Sequence, residues 1–178
     1  MARVLYWFRT DLRITDSPAL TKALGIADIE SFTPVWCWDP NYIYGHKVGL
    51  NRWSFLLESM TNLSDNLTKL NPKQKMRVIR GPPEDVLPLM WKSWGITHLV
   101  YEKDSNAYAK IRDERIRGLA KDNGVEVVEV HGRHLYDPEE VVKANKGKPT
   151  MTLNQWQKVS TRALHLICSH HTAIWVEC

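Results

Sequence analysis

Five short runs rich in β-branched and aromatic residues alternate with stretches of helical periodicity, and this alternation limits the folds open to the chain more than any other feature. The runs are residues 4–8, 32–38, 76–79, 98–101 and 125–130. The clearest, Val4-Leu5-Tyr6-Trp7-Phe8, is apolar at every position and ends at the charge of Arg9. A strand with no polar face is covered on both sides, as in a parallel sheet. Between the runs lie helix signals. Asp16 or Ser17 can cap a helix whose first turn takes Pro18. Leu50, Trp53, Leu56, Leu57, Met60, Leu63, Leu67 and Leu70 recur at gaps of one, three and four, the period of one helix face, and Asn71-Pro72 stops it. Glu84 and Asp85 suit the first turn of a helix carrying Val86, Leu87, Met90, Trp91 and Trp94 inward, with Gly95 as its stop. Residues 107–123 form the next helix, ended by Asn123-Gly124. Strands alternating with helices imply right-handed crossovers. The predicted fold is α/β: a doubly wound, five-stranded parallel Rossmann-like sheet with helices on both faces.

Composition narrows the class further. The chain has 178 residues, 43% hydrophobic and 25% charged, which suits one globular domain and excludes a disordered or collagen-like chain. Its 24 basic against 20 acidic residues give +4, too little to argue for nucleic acid. Eight tryptophans suggest aromatic packing or a flat aromatic ligand, and those on apolar helix faces, Trp53, Trp91 and Trp94, read as packing. Three cysteines, two of them in the last eleven residues, make no disulfide framework, and Cys37 reads as a buried thiol. The N-terminal apolar stretch is too short for a signal peptide, and no window approaches a membrane span. The expected location is nuclear or cytoplasmic.

In open α/β sheets ligands bind beyond the carboxyl ends of the strands. The candidates are therefore Arg9, Asp11 and Arg13 after the first strand, Trp38, Asp39 and Pro40 after the second, and Arg80 and Gly81 after the third. Glu102, Lys103 and Asp104 follow the fourth, and His131, Gly132 and His134 the fifth. The turn Arg9-Thr10-Asp11-Leu12-Arg13 has no glycine, and no Walker A sequence occurs, so a dinucleotide or P-loop phosphate site is not expected. The cluster of Arg9, Asp11 and Arg13 is either a polar wall of a ligand cleft or a structural ion-pair group with arginine bidentate on a carboxylate. Glu102, Lys103 and Asp104 are either ligand-facing or a solvated charge run. Cys168, His170, His171 and Cys178 lack paired metal-ligand spacing.

Trp7-Phe8-Arg9-Thr10-Asp11-Leu12-Arg13, followed by Pro18-Ala19-Leu20, resembles the opening signature of the DNA photolyase/cryptochrome family. Further stretches agree in order: Val48-Gly49-Leu50-Asn51-Arg52-Trp53-Ser54-Phe55-Leu56, Arg80-Gly81-Pro82-Pro83, Tyr101-Glu102-Lys103-Asp104 with Tyr108-Ala109 and Arg112-Asp113, His134-Leu135-Tyr136-Asp137-Pro138, and Gly147-Lys148-Pro149. The likeness is closest to the (6-4) photolyase and animal-type cryptochrome branch and covers roughly residues 3 to 158.

The resemblance implies an N-terminal α/β domain able at most to hold a light-harvesting antenna chromophore. FAD and damaged DNA belong to a helical domain of full-length relatives, which are light-driven (6-4) DNA photolyases or blue-light and circadian cryptochromes. The chain is expected to be truncated before that domain and to be inactive alone, with no catalytic residue and no metal of its own. The antenna domain is assigned to residues 1–135, the start of an interdomain linker to 136–159, and a divergent tail to 160–178. The resemblance places an antenna pocket among Arg9, Asp11, Trp38, Asp39, Asn51, Arg52, Phe55, Glu102 and Asp104. Where other branches use an amide–carboxylate pair for folate, Tyr108 and Ala109 stand here, so 8-hydroxydeazaflavin is the expected antenna. The alternative is a non-catalytic interaction protein, a splice form competing with full-length cryptochrome for protein partners. No membrane partner is expected.

Overall fold

The computed structural model describes residues 1–45, 47–134 and 136–163. Five strands, β1 (Ala2–Phe8), β2 (Ile29–Trp38), β3 (Arg77–Arg80), β4 (His98–Glu102) and β5 (Glu126–Val130), form one parallel sheet in the order β3-β2-β1-β4-β5. The helices are α1 (Pro18–Leu24), α2 (Pro40–Ile43), α3 (Leu50–Leu70), α4 (Pro83–Trp94), α5 (Ala107–Asp122), α6 (Pro138–Ala144) and α7 (Leu153–Ala163). The doubly wound parallel sheet predicted from the alternation is the fold observed. β1 lies at its centre, and the chain order reverses there.

The period-two alternation of the strands divides the interior into two cores. Val4, Tyr6 and Phe8 of β1 face a layer that includes Ala19, Leu20 and Ala23 of α1 and Met60, Leu63 and Leu67 of α3. Leu5 and Trp7 face the opposite layer, with Leu87, Met90 and Trp91 of α4 and Ile116 and Ala120 of α5. A strand serving both layers has no polar face to spare, which is why residues 4–8 carry no charged side chain. The tryptophans largely pack: Trp7, Trp36 and Trp91 are buried, and Trp38 stacks on Trp53 with ring centroids 5.5 Å apart.

Local chemistry sets the helix ends. Ser17 is the N-cap of α1, its hydroxyl accepting from the Leu20 N–H at 3.2 Å, while Asp16 sits at φ 49° before it. Gly95 closes α4 at φ 62°, where a Cβ would also meet Arg3 Nη1 at 2.9 Å. The stretches around α2, α6 and α7 had no predicted element. Asp39-Pro40 and Asp137-Pro138 each place a capping carboxylate before a proline at the first helical position, so what reads as a break opens a short helix.

The inner face of α3 is narrower than predicted. Met60, Leu63 and Leu67 are buried and Trp53 and Leu56 partly so, but Leu50, Leu57 and Leu70 are exposed. At 3.6 residues per turn, Leu50 and Leu57 lie roughly 90° from the centre of the buried stripe. A contrast between faces follows. Leu87→Ala, at a fully buried position, costs about 2–5 kcal/mol through lost burial and a cavity. Leu57→Ala, at a site 51% exposed, changes stability by less than about 0.5 kcal/mol. Urea denaturation of both variants checks the assignment, and comparable losses would contradict it.

Candidate functional site

A crevice opens beyond the carboxyl ends of β1, β2 and β4, beside the first turns of α5. Its lining includes Trp7, Phe8, Arg9, Thr10, Trp36, Cys37, Asp39, Asp104, Asn106, Tyr108 and Arg112. It encloses about 60 Å³. The parallel topology alone dictates this location, since the connections leaving the neighbouring strands β1 and β4 run in opposite directions and part at their ends.

The floor is an ion-pair cluster. Arg9 Nη1 donates to both carboxylate oxygens of Asp113 at 2.8 Å, and Arg112 donates to Asp113 Oδ1 through Nε at 3.0 Å and Nη2 at 2.9 Å. All three side chains are buried. Arg9 Nη2 also donates to the Glu102 carbonyl. The guanidinium of Arg9 lies over the rings of Trp7 and Tyr101, 5.1 and 4.6 Å from their centroids, and that of Arg112 lies 4.7 Å from Trp7. Two cations share one carboxylate and two aromatic faces, so the cluster carries a net positive charge among its own groups. Arg9 Nε is buried without a hydrogen-bond partner among the described residues.

The turn after β1 is fixed by its own side chains. Asp11 accepts from the Arg9 N–H at 2.9 Å and from the Tyr6 hydroxyl at 3.0 Å, and the Trp36 indole N–H donates to the Arg9 carbonyl at 3.1 Å. On the opposite wall, Asp39 caps α2 by accepting from the Asn41 N–H at 3.0 Å, and its other oxygen accepts from the Tyr108 hydroxyl at 2.5 Å. Asp104 accepts from the Asn106 N–H at 3.1 Å, and Asn106 in turn caps α5. Burial pushes the Cys37 thiol up to about 12, so this lining residue stays a neutral thiol at neutral pH.

Of the nine residues expected to share a pocket, Arg9, Asp39 and Asp104 line this crevice. Asp11 is buried in the turn beneath it. Glu102 is buried beside Gly132, where a Cβ would come within 2.9 Å of its carboxyl carbon, and it receives Arg13 Nη2 at 3.2 Å. Trp38 lies behind Trp36, edge-on to it and stacked on Trp53. Asn51, Arg52 and Phe55 project from the exposed start of α3 and are not among the lining residues. Arg9 and Arg13 find their carboxylate partners outside the turn, in Asp113 and Glu102. Arg9 is at once a crevice residue and a bidentate ion-pair partner.

Tyr108, Arg112 and Asp113 were not expected in the site. A signal for the last two was present. They fall at helical spacing with Ala109, Ile116 and Ala120, the buried face of α5, and charged residues on an inward stripe require internal partners. Elsewhere, His131, Asp137 and Glu139 bring ligand-type atoms within 4.8 Å of one another. Lys103 already donates to Glu139 at 2.9 Å, and Asp137 Oδ1 caps α6, so a cation there would compete with both. Burial holds the His131 imidazole below its ordinary pKa. Of the tail expected over residues 160–178, residues 164–178, with Cys168, His170, His171 and Cys178, lie outside the described residues.

The family profile described as DNA photolyase matches residues 4–172. Cryptochrome-2 of Gallus gallus is 40% identical over 161 residues, which is 90% of this chain and 27% of that protein. Cryptochrome-1 of Mus musculus is 39% identical over 158 residues, 89% of this chain and 25% of that protein. The chain thus spans about a quarter of the length of the curated relatives it matches. Among solved structures, a Synechocystis sp. cryptochrome superposes with a TM-score of 0.75 at 25% identity, covering 94% of this chain and 36% of its own. A Sulfolobus tokodaii photolyase, described with two FAD molecules and an implied novel light-harvesting cofactor, superposes at 0.67 with 21% identity, covering 92% and 36%. At that identity the second likeness speaks to fold. Among the described residues no helix is long and apolar enough to cross a membrane.

Two outcomes test the electrostatics of the site. Asp113→Asn leaves two buried guanidinium groups without their shared anion and costs about 3–5 kcal/mol in chemical denaturation. Glu102 tests a pH dependence. Burial, and secondarily Asp11, raise its carboxyl above the ordinary value, against the opposing pull of Arg13 and Arg133. The folded carboxyl therefore holds its proton more tightly than the unfolded one, and its contribution to stability falls as pH rises from the unfolded through the raised folded value. The stability of Glu102→Gln relative to wild type should rise as pH increases above the ordinary glutamate value of about 4.3, and a fall would reverse the assignment.

Proposed function

The chain belongs to the DNA photolyase family, and on that premise we propose that it is the family's N-terminal light-gathering domain, with the crevice beyond β1, β2 and β4 as the docking place for a flat heteroaromatic pigment. One observation carries the reading. Aromatic walls from Trp7 and Trp36 meet a short set of placed polar groups, Arg9, Asp39 and Asp104, at the switch point of the sheet. An acceptor for a ring hydroxyl (Asp39) and a partnerless donor for a ring carbonyl (Arg9 Nε) suit 8-hydroxydeazaflavin in chemistry. Space is what the crevice lacks. Ligand pockets commonly hold about 300–1,000 Å³, against about 60 Å³ here. Binding therefore requires the walls to part and is expected to be weak.

The pigment, when bound, absorbs light and passes excitation onward. This chain's own residues orient the ring, exclude water from its edge and hold its hydroxyl proton near Asp39. FAD chemistry and contact with damaged DNA are proposed only for full-length relatives, and the protein is placed in the nucleus or cytoplasm. The divergent tail and linker boundaries remain part of the same proposal. The interaction-protein alternative would draw on the exposed apolar residues of α3, but Leu50 and Leu57 point away from Phe55 around the helix and form no single patch.

Amide resonances locate the site. Saturating 8-hydroxydeazaflavin should shift those of Arg9, Asp39, Asp104 and Tyr108 in a two-dimensional NMR titration and leave Arg52 and Phe55 near their free positions. Shifts concentrated on α3 would move the pocket to Asn51, Arg52 and Phe55. No shifts at saturation would end the pigment reading.

A further inference from the structure

We propose that Tyr108 is the specificity-determining gate of the crevice, an internal occupant that must be displaced from Asp39 before a flat, hydroxylated heteroaromatic can enter. The inference rests on the reading of the crevice as a pigment site. Its first support is geometric. The Tyr108 hydroxyl donates to Asp39 Oδ2 at 2.5 Å, joining residues 69 positions apart and tying the first turn of α5 to the N-cap of α2. A bond between those two elements spans the opening that β2 and β4 leave between them.

The second support is the state of the acceptor. Asp39 is 4% exposed, and each of its oxygens is engaged, Oδ1 by the Asn41 N–H and Oδ2 by Tyr108. Because Asp39 is buried and the phenol already lies against Oδ2, an incoming ring hydroxyl reaches that oxygen by taking the phenol's place. The third support is likeness. Tyr108 offers Asp39 what such a ligand would offer, an aromatic hydroxyl, and its ring also takes the face of Arg112, whose guanidinium lies 5.6 Å from the centroid. Burial and Asp39 push the phenol above its ordinary pKa, so it remains a donor throughout the neutral range. With the phenol in place, the remaining space is about 60 Å³, too little for a fused-ring system. Arg9 lines the same space, and its partnerless Nε is a donor that no protein group among the described residues satisfies. The gate therefore blocks the acceptor end of the site.

The gate sets which ligands are admitted. A ring with a hydroxyl on one edge replaces the bond it breaks, whereas an aromatic lacking that donor leaves a buried carboxylate one hydrogen bond short. Discrimination at the crevice should then follow the hydroxyl more than ring size.

The experiment is a fluorescence titration of 8-hydroxydeazaflavin into the full chain. It uses wild type, Tyr108→Ala, Tyr108→Phe, and the double variant Tyr108→Ala with Asp39→Asn, each checked for native circular dichroism. Tyr108→Ala should bind at least about tenfold more tightly than wild type. Tyr108→Phe keeps the ring but releases Asp39, and should fall between the two. The double variant should lose most of the gain, because the charged acceptor has gone. Equal affinity for wild type and Tyr108→Ala would overturn the gate while the pigment site stands. Folded Tyr108→Ala and Tyr108→Phe that both fail to bind would overturn the gate and the pigment reading together. If Tyr108→Ala does not fold, Tyr108→Phe decides, and an affinity no tighter than wild type overturns the proposal.

Discussion

The buried pairing of Arg9 with Asp113 is the constraint on which the functional end of this domain depends. Arg9 ends the central strand and Asp113 sits on the inner face of α5, so a bidentate bond at 2.8 Å fixes the end of the sheet against the helix that walls the crevice. Arg9 Nη1 donates to both oxygens of Asp113 while Nη2 donates to the Glu102 carbonyl, so one guanidinium is held against both the helix and the end of β4. Burial makes the arrangement costly to assemble. It is tolerated because Arg112 adds two further donors to Asp113, and Trp7 and Tyr101 offer ring faces to the cations. Aromatic residues that would otherwise only fill the core thus also act as weak counter-charges.

The same end of the sheet shows how backbone and side chains divide the work. Asp11 engages the Arg9 N–H and Trp36 the Arg9 carbonyl, so both backbone polar groups of Arg9 are satisfied by side chains. The Arg9 and Arg13 amides are thereby spoken for within the turn. The absence of glycine after β1 and the presence of an arginine–aspartate cluster are therefore two aspects of one design. What the crevice presents is aromatic and hydrogen-bonding edges, where a dinucleotide fold presents open backbone amides.

Much of the architecture was legible because it follows from periodicity. The all-apolar run 4–8 marked the central strand, and α3 and α4 occupy the residues their apolar spacing indicated, with Gly95 as the α4 stop. Strand ends were less accurate. β2 begins at Ile29 rather than residue 32, since an edge of mixed polarity pairs through its backbone regardless of side chain. The site was legible in part. Parallel topology pointed to Arg9, Asp39 and Asp104, but it could not say that Trp38 would turn behind Trp36, or that the start of α3 would stand clear of the lining. Those outcomes depend on side-chain packing between elements distant in sequence. Tyr108 illustrates the limit. In sequence it is an aromatic in the first turn of a helix, and its role emerges only when α5 is laid against the end of β2.

That placement links the anchor to the gate. Tyr108 and Arg112 are four residues apart on α5, one turn along the same face, and Arg112 lies between the rings of Trp7 and Tyr108. Asp113 holds α5 to β1 through Arg9, which sets the distance at which the phenol meets Asp39. A helix anchored by a buried bidentate pair does not slide, so opening the crevice falls to the side chain of Tyr108. Rotation of one phenol gives up its hydrogen bond to Asp39, whereas moving α5 would separate buried charges from their partner. The cheaper motion is the one available to a ligand. The strength of the anchor is thus the physical reason that one residue on its outer turn can determine what enters.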